Sequence, residues 1–237
     1  MLEKPDQGRV KQCFALSPFS SHFVRDGSYT RFAEYKFVFR ARTNTLPLNG
    51  CRRGNDTRDQ RCRRCGFAKE TMAHVSSHCG VHAAARQNRH NVIAARLLNG
   101  ARLPPHARVL RNQCIPGYPG RERPDIVVVD DIAKTATIID IACPFENTLT
   151  GFSEARAEKR DKYQQVAAHY SASGYTLHVD AFIVGCLGTW DPINVHCLRA
   201  LNISRRYSTL MAKLMVSETI RWTRDLYVEH ITGYRQF

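Results

Sequence analysis

Apolar positions recur with different spacings in the two halves of the chain. Across residues 29–42, Phe32, Tyr35, Phe39 and Arg42 fall at helical spacing, and the pattern stops at the turn-like Asn44-Thr45-Leu46-Pro47, which predicts a helix. Residues 81–98 are rich in Ala and Arg and end at Asn99-Gly100, so a second helix is expected there, preceded by a loop of Gly, Arg, Asn and Asp over 49–61. Positions 104–119 hold four prolines and Gly117 and read as an irregular connector. Beyond them, 126–129 and 135–142 are β-branched runs joined by Asp130-Asp131, the pattern of a hairpin. Residues 153–172 read as a long charged helix, 176–184 as a third strand, and 198–214 and 217–227 as closing helices. Strand, strand, helix, strand, helix is an α/β order with a central mixed sheet, here preceded by a small helical region.

The 237 residues suit one large domain or two small ones, and a hydrophobic content of 43% can build a packed core. No apolar run approaches the ~20 residues of a membrane span. Met1-Leu2-Glu3-Lys4-Pro5 lacks the apolar centre of a secretory signal, so a soluble intracellular protein is expected. The formal charge of +14 excludes an acidic tail, and its placement says more than its size. Residues 1–50 carry 8 basic and 4 acidic side chains, 51–111 carry 13 and 3, and 112–237 carry 14 and 14, so the whole excess lies in the first 111 positions. Dense arginine of this kind is expected to meet phosphate; a solvated basic surface is the alternative. The chain divides accordingly into 1–50, 51–100, a connector at 101–120 and a compact domain at 121–237.

Nine cysteines are an odd count, and three of them cluster. Cys62, Cys65, His74 and Cys79 are spaced Cys-x2-Cys-x8-His-x4-Cys. Two thiolates two residues apart grip one face of a tetrahedral zinc from a tight turn, which Gly66 relaxes, and a turn of helix brings His74 and a residue near 78 or 79 to the other face. His78 competes for the fourth place, since His74-x3-His78 is also ligand spacing; Cys79 is the better candidate. Buried cysteines beside a surface histidine would be the structural explanation of the same residues. So charged a segment has little core of its own, and metal would supply its folding energy. Cys13, Cys51, Cys114, Cys143, Cys186 and Cys197 are scattered and read mostly as small buried hydrophobes.

The second candidate site lies in the α/β half. Arg123-Pro124-Asp125 leads into the first strand, Asp140 sits on the second, and Glu154, Glu158, Lys159 and Lys162 lie on the helix that follows. Carboxylates from neighbouring strands can converge on one Mg²⁺, which polarises a scissile phosphate, while a lysine orients the nucleophile or offsets charge. Turn chemistry would account for Asp125 alone, and a solvated helix face for the lysines alone. Asp140 is harder to dismiss, because an ionised group in an apolar strand costs free energy unless something binds it.

Taken in order, these features resemble the C-terminal part of the polyprotein of site-specific non-LTR retrotransposons of the R-two class. The resemblance rests on the Cys62, Cys65, His74, Cys79 knuckle and the Arg89-His90-Asn91 after it, on Asp125 and Asp140 with 14 residues between, and on Lys159-x2-Lys162-Tyr163. Thr45-Leu46-Pro47, Ile220-Arg221-Trp222-Thr223-Arg224-Asp225 and Gly233-Tyr234-Arg235-Gln236-Phe237 add to it, over residues 29–237. The resemblance implies a zinc knuckle joined to a restriction-like endonuclease of the PD-(D/E)XK fold, which nicks target DNA to prime reverse transcription in the nucleus, with element RNA as a second partner. Asp125 and Asp140 would hold Mg²⁺. Ala142 stands where a restriction enzyme has its strand lysine, and the family takes that lysine from the next helix: Lys159, ranked first, or Lys162, with Tyr163 sharing its face. Arg52, Arg53, Arg63, Arg64, Arg86, Arg89 and His90 would contact nucleic acid. The family's paired polymerase aspartates have no counterpart here, so the chain reads as a fragment without reverse transcriptase, a degenerate copy or the tail of a longer reading frame, its first 28 residues either the end of a polymerase thumb or a spurious start. A catalytically dead zinc-dependent nucleic-acid binder is the alternative.

Overall fold

A computed structural model describes residues 8–51 and 58–236, so Arg52 and Arg53 lie outside the described residues. Among those residues, helices α1 (Gly8–Phe14), α2 (Phe23–Asp26) and α3 (Phe32–Arg42) lead to the cysteine-rich segment, and α4 (Ala83–Gly100) follows it. The sheet is built from β1 (Arg108–Leu110), β2 (Ile126–Asp130), β3 (Thr135–Ala142) and, after α5 (Gly151–Lys162) and α6 (Gln164–Ala172), β4 (Thr176–Ile183). Helices α7 (Val195–Ala200) and α8 (Arg205–Thr232) close the chain. Strand order follows sequence order: β1 and β3 flank β2 antiparallel, while β4 runs parallel to β3 after the helical crossover, giving a mixed α/β sheet.

The proline-rich connector is not wholly irregular, because β1 lies within it and pairs Arg108, Val109 and Leu110 with Val129, Val128 and Val127. The hairpin forms as expected: Asp130 accepts the N–H groups of Ile132 and Ala133 at 3.0 and 2.8 Å, and Lys134 takes a left-handed φ of 51° to complete the turn. Residues 153–172 do not make one helix. Tyr163 stands between α5 and α6 with its ring fully buried, and its N–H bonds back to Arg160 O, so the α-helical ladder is interrupted there. At the C-terminus two predicted helices are one of 28 residues, since Ser217 is not a cap; it is buried, with its hydroxyl 2.7 Å from that of Thr30. The break falls earlier, at Asn202 with φ 51°.

Alternation along the strands sorts the core into two layers. Ile126, Val128, Ile139, Ile141 and Phe182 pack in one cluster with Phe37, Leu97, Met215 and Ile220, whereas Val127, Val129 and Ile138 face Tyr163, Val166 and Tyr170. The first cluster also takes in Met72 and Val75 beside the knuckle, so the basic N-terminal half and the sheet share one core. Arg42 ties them further, donating to Leu187 O, Ser20 O and Ser21 Oγ with its guanidinium 4.5 Å over Phe14.

Candidate metal centre and carboxylate cluster

Cys62 and Cys65 lie on a turn in which Cys62 N–H donates to Phe67 O (2.8 Å) and Gly66 N–H to Cys62 O (2.9 Å), with Gly66 at φ 74° where a side chain would be strained. The other two residues flank a single π-helical turn, His74–His78, closed by Cys79 N–H on His74 O at 2.8 Å. That extra residue per turn puts Cys79, not His78, opposite the thiols: Cys79 is fully buried and His78 is exposed. The ligand atoms of Cys62, Cys65, His74 and Cys79 all lie within 4.8 Å of one another, close enough to hold a metal such as zinc, whose tetrahedral thiolate sites have edges of about 3.8 Å. Phe67 stacks flat on the His74 ring at 4.5 Å, orienting Nε2 3.2 Å from Cys65 Sγ. Burial pushes the Cys79 thiol up to about 12 and holds His74 below its ordinary value, so metal binding would release a thiol proton and meet a neutral imidazole.

A buried polar chain backs this centre. Glu70 accepts from Asn49 N (2.7 Å), Arg63 N, Nε and Nη2 (each 2.9 Å) and His230 Nε2 (2.8 Å). His230 Nδ1 in turn lies 3.0 Å from His82 Nε2. Arg64 Nε donates to His230 O at 2.7 Å, capping the end of α8. The cysteine-rich segment is thereby stitched to α8.

The arginines of this segment all have partners within the protein, and only Arg89 among Arg63, Arg64, Arg86 and Arg89 is buried. Arg63 neutralises Glu70, Arg64 caps α8 and Arg86 bonds to Cys79 O. Arg89 is 3% exposed and joins Ser76 O (3.1 Å) to Thr223 Oγ1 (2.9 Å). A guanidinium so enclosed is a brace between elements and cannot reach a polyanion.

One residue further along α4, His90 Nε2 lies 2.9 Å from Asp125 Oδ2, and Ile141 N–H donates to the same oxygen at 2.7 Å. Asp140, 3% exposed, accepts from Tyr163 OH at Oδ1 and pairs with Lys159 Nζ at Oδ2, both at 2.6 Å. Lys162 holds its ammonium 4.8 Å over the Tyr163 ring. Of the predicted residues, then, Lys159 and Tyr163 meet on Asp140, Asp125 accepts the N–H of the next residue, Ile141, and Lys162 contacts the ring of Tyr163. His90 belongs to this cluster rather than to an open basic surface.

The electrostatics are consistent with mutual support. Burial disfavours charge on Asp125, but the hydrogen bond from His90 and the Ile141 N–H outweigh it and hold the carboxyl below its ordinary value. Burial likewise opposes charge on Lys159 and His90, and the facing carboxylates override it, raising both. Burial and then Asp140 push the Tyr163 phenol well up. At neutral pH Lys159 and Tyr163 are therefore donors, not bases.

Sequence reasoning missed a second charged knot. Arg156 on α5 donates to Asp180 Oδ1 (2.5 Å), Ala181 O and Asp191 Oδ2 (2.7 Å), all buried. The two are connected twice: Arg156 is one helical turn before Lys159, and Ala181, whose carbonyl it bonds, pairs with Asp140 across β3 and β4. Comparison with protein-family models and with curated proteins finds no match to this chain.

Proposed function

We propose that the chain is a metal-dependent DNA endonuclease, a zinc-knuckle region joined to a PD-(D/E)XK core, with the resemblance to R-two-class retrotransposon polyproteins as its family context. On this reading it nicks one strand of a nuclear DNA target for target-primed reverse transcription, with element RNA as a further partner. What supports it is that Asp125, at the mouth of β2, accepts the N–H of Ile141, the residue next to Asp140 near the end of β3, while Asp140 is pinned by Lys159 and Tyr163. The bonds on Asp125 fall on Oδ2, so Oδ1 is the oxygen available to a cation, and a small set of carboxylates suits a hard ion that keeps most of its waters. Such a cation, when bound, would offset charge on the phosphate and lower the pKa of a bound water.

The remaining chemistry belongs to the protein. Lys159, protonated beside Asp140, orients the attacking water and offsets the negative charge that grows on phosphorus-bound oxygen. Tyr163 keeps Asp140 from rotating. The test is nicking of supercoiled plasmid by the purified chain with Mg²⁺ or EDTA. Asp125→Ala, Asp140→Ala and Lys159→Ala should each lower the rate by at least about 100-fold, and Lys162→Ala should change it little. Metal-dependent nicking that survives in Asp125→Ala/Asp140→Ala would defeat the reading. DNA binding without nicking in wild type would favour the inert zinc-dependent binder instead.

A further inference from the structure

The geometry points to His90 as a positioning residue that sets the orientation of Asp125 toward a divalent cation, with α4 as the bracket that carries it. The inference rests on the reading of Asp125 and Asp140 as cation ligands. Asp125 lies just ahead of β2, at a place where a carboxylate would otherwise turn freely. Two donors remove that freedom: Ile141 N–H from β3 and the His90 ring from α4 both bond Oδ2, at 2.7 and 2.9 Å. The backbone donor fixes where Oδ2 sits, and the imidazole, 35 residues distant in sequence, fixes the plane of the carboxylate by approaching the same oxygen from a second direction. Hydrogen-bonded supports of this kind hold metal-binding side chains in their binding geometry.

His90 can do this only if α4 is itself immobile, and the structure supplies the anchor. Arg89, the preceding residue, is buried and bonds Ser76 O in the knuckle and Thr223 Oγ1 on α8, and Thr223 Oγ1 donates in turn to Cys186 O at 2.7 Å. Ile93 and Leu97 sink the next turns of α4 into the main core. Adjacent residues thus have opposite tasks. Arg89 locks the helix to its surroundings, and His90, partly exposed, reaches the carboxylate.

The test is Mn²⁺ binding, followed by electron paramagnetic resonance of the free ion, on the full zinc-loaded chain and its His90→Ala, His90→Gln and Asp125→Asn variants, with melting midpoints recorded alongside. Asp125→Asn should weaken Mn²⁺ binding at least about tenfold, and His90→Ala should do so about tenfold with an unchanged midpoint. His90→Gln, whose amide nitrogen can occupy the place of Nε2, should recover most of the loss. If Asp125→Asn weakens binding and His90→Ala binds Mn²⁺ as well as or better than wild type, the positioning role is refuted while the cation site stands. If Asp125→Asn itself binds like wild type, the cation site falls and takes this role with it.

Discussion

Replacing Arg156 by Met tests whether α5 is held by charge or by packing. Its guanidinium, 5% exposed, is the shared partner of Asp180 and Asp191, which are 1% and 4% exposed. Removing one partner of a buried ion pair costs about 3–5 kcal/mol because the other charge is stranded. Some relief is built in: Ala181 N–H still donates to Asp180 and Ile193 N–H to Asp191, and Arg160 Nε lies 3.4 Å from Asp180. Met keeps the apolar stem. The cost should therefore sit near the low end, about 3 kcal/mol, which for a chain of this size lowers the melting midpoint by roughly 6–12 °C. Because Lys159 is one turn further along α5, the proposed endonuclease activity predicts that plasmid nicking falls as well, at temperatures where the variant is still folded. Thermal and urea unfolding give the stability, and a cycle with Asp191→Asn should return a coupling above about 1 kcal/mol. A midpoint within about 2 °C of wild type, with no coupling, would mean that the triad contributes nothing net and that apolar contacts alone seat α5.

Two further outcomes separate readings of individual residues. Cys79→Ser should lose zinc binding, whereas His78→Ala should retain it; metal analysis giving the reverse pattern would move the fourth ligand to His78. Glu146 is buried, accepting Leu187 and Thr189 N–H at Oε1 while Oε2 has no partner, and burial raises its pKa despite nearby Arg42. Its folded value lies above its unfolded one, so its contribution to stability is complete at acid pH and is lost as pH rises through the folded value. Glu146→Gln should therefore be neutral or stabilising at pH 7 and flatten that decline in denaturation curves taken from pH 4 to 8. A loss of more than about 1 kcal/mol at pH 7 would show instead an ionised carboxylate paired to Arg42.

Local interactions made much of the architecture legible in the sequence. The 126–142 hairpin, α3 with its stop at Asn44, α4 and the ligand spacing of the knuckle all depend on neighbours within a few residues, and those neighbours are written consecutively. What failed to show depends on partners far away. Strand β1 is three residues in a proline-rich stretch and exists because β2 offers it an edge. The break between α5 and α6 follows from Tyr163 reaching Asp140, 23 residues earlier, and the continuity of α8 past Ser217 from a hydroxyl on Thr30.

The same division holds for the candidate sites. Residue types and spacing by themselves put Cys62, Cys65 and His74 in one metal-binding segment and marked Asp125 and Asp140 as a pair. Tertiary structure alone chose between rivals: the π-helical turn swings Cys79 inward and His78 outward, and the rotation of α5 sends Lys159 to Asp140 and Lys162 onto an aromatic face. Only the fold, too, could bury Arg89 as an internal brace and give the exposed Arg63 and Arg64 their partners on Glu70 and the end of α8. A charge is visible in a sequence, but its solvation is not, because burial depends on which distant segments come to cover it.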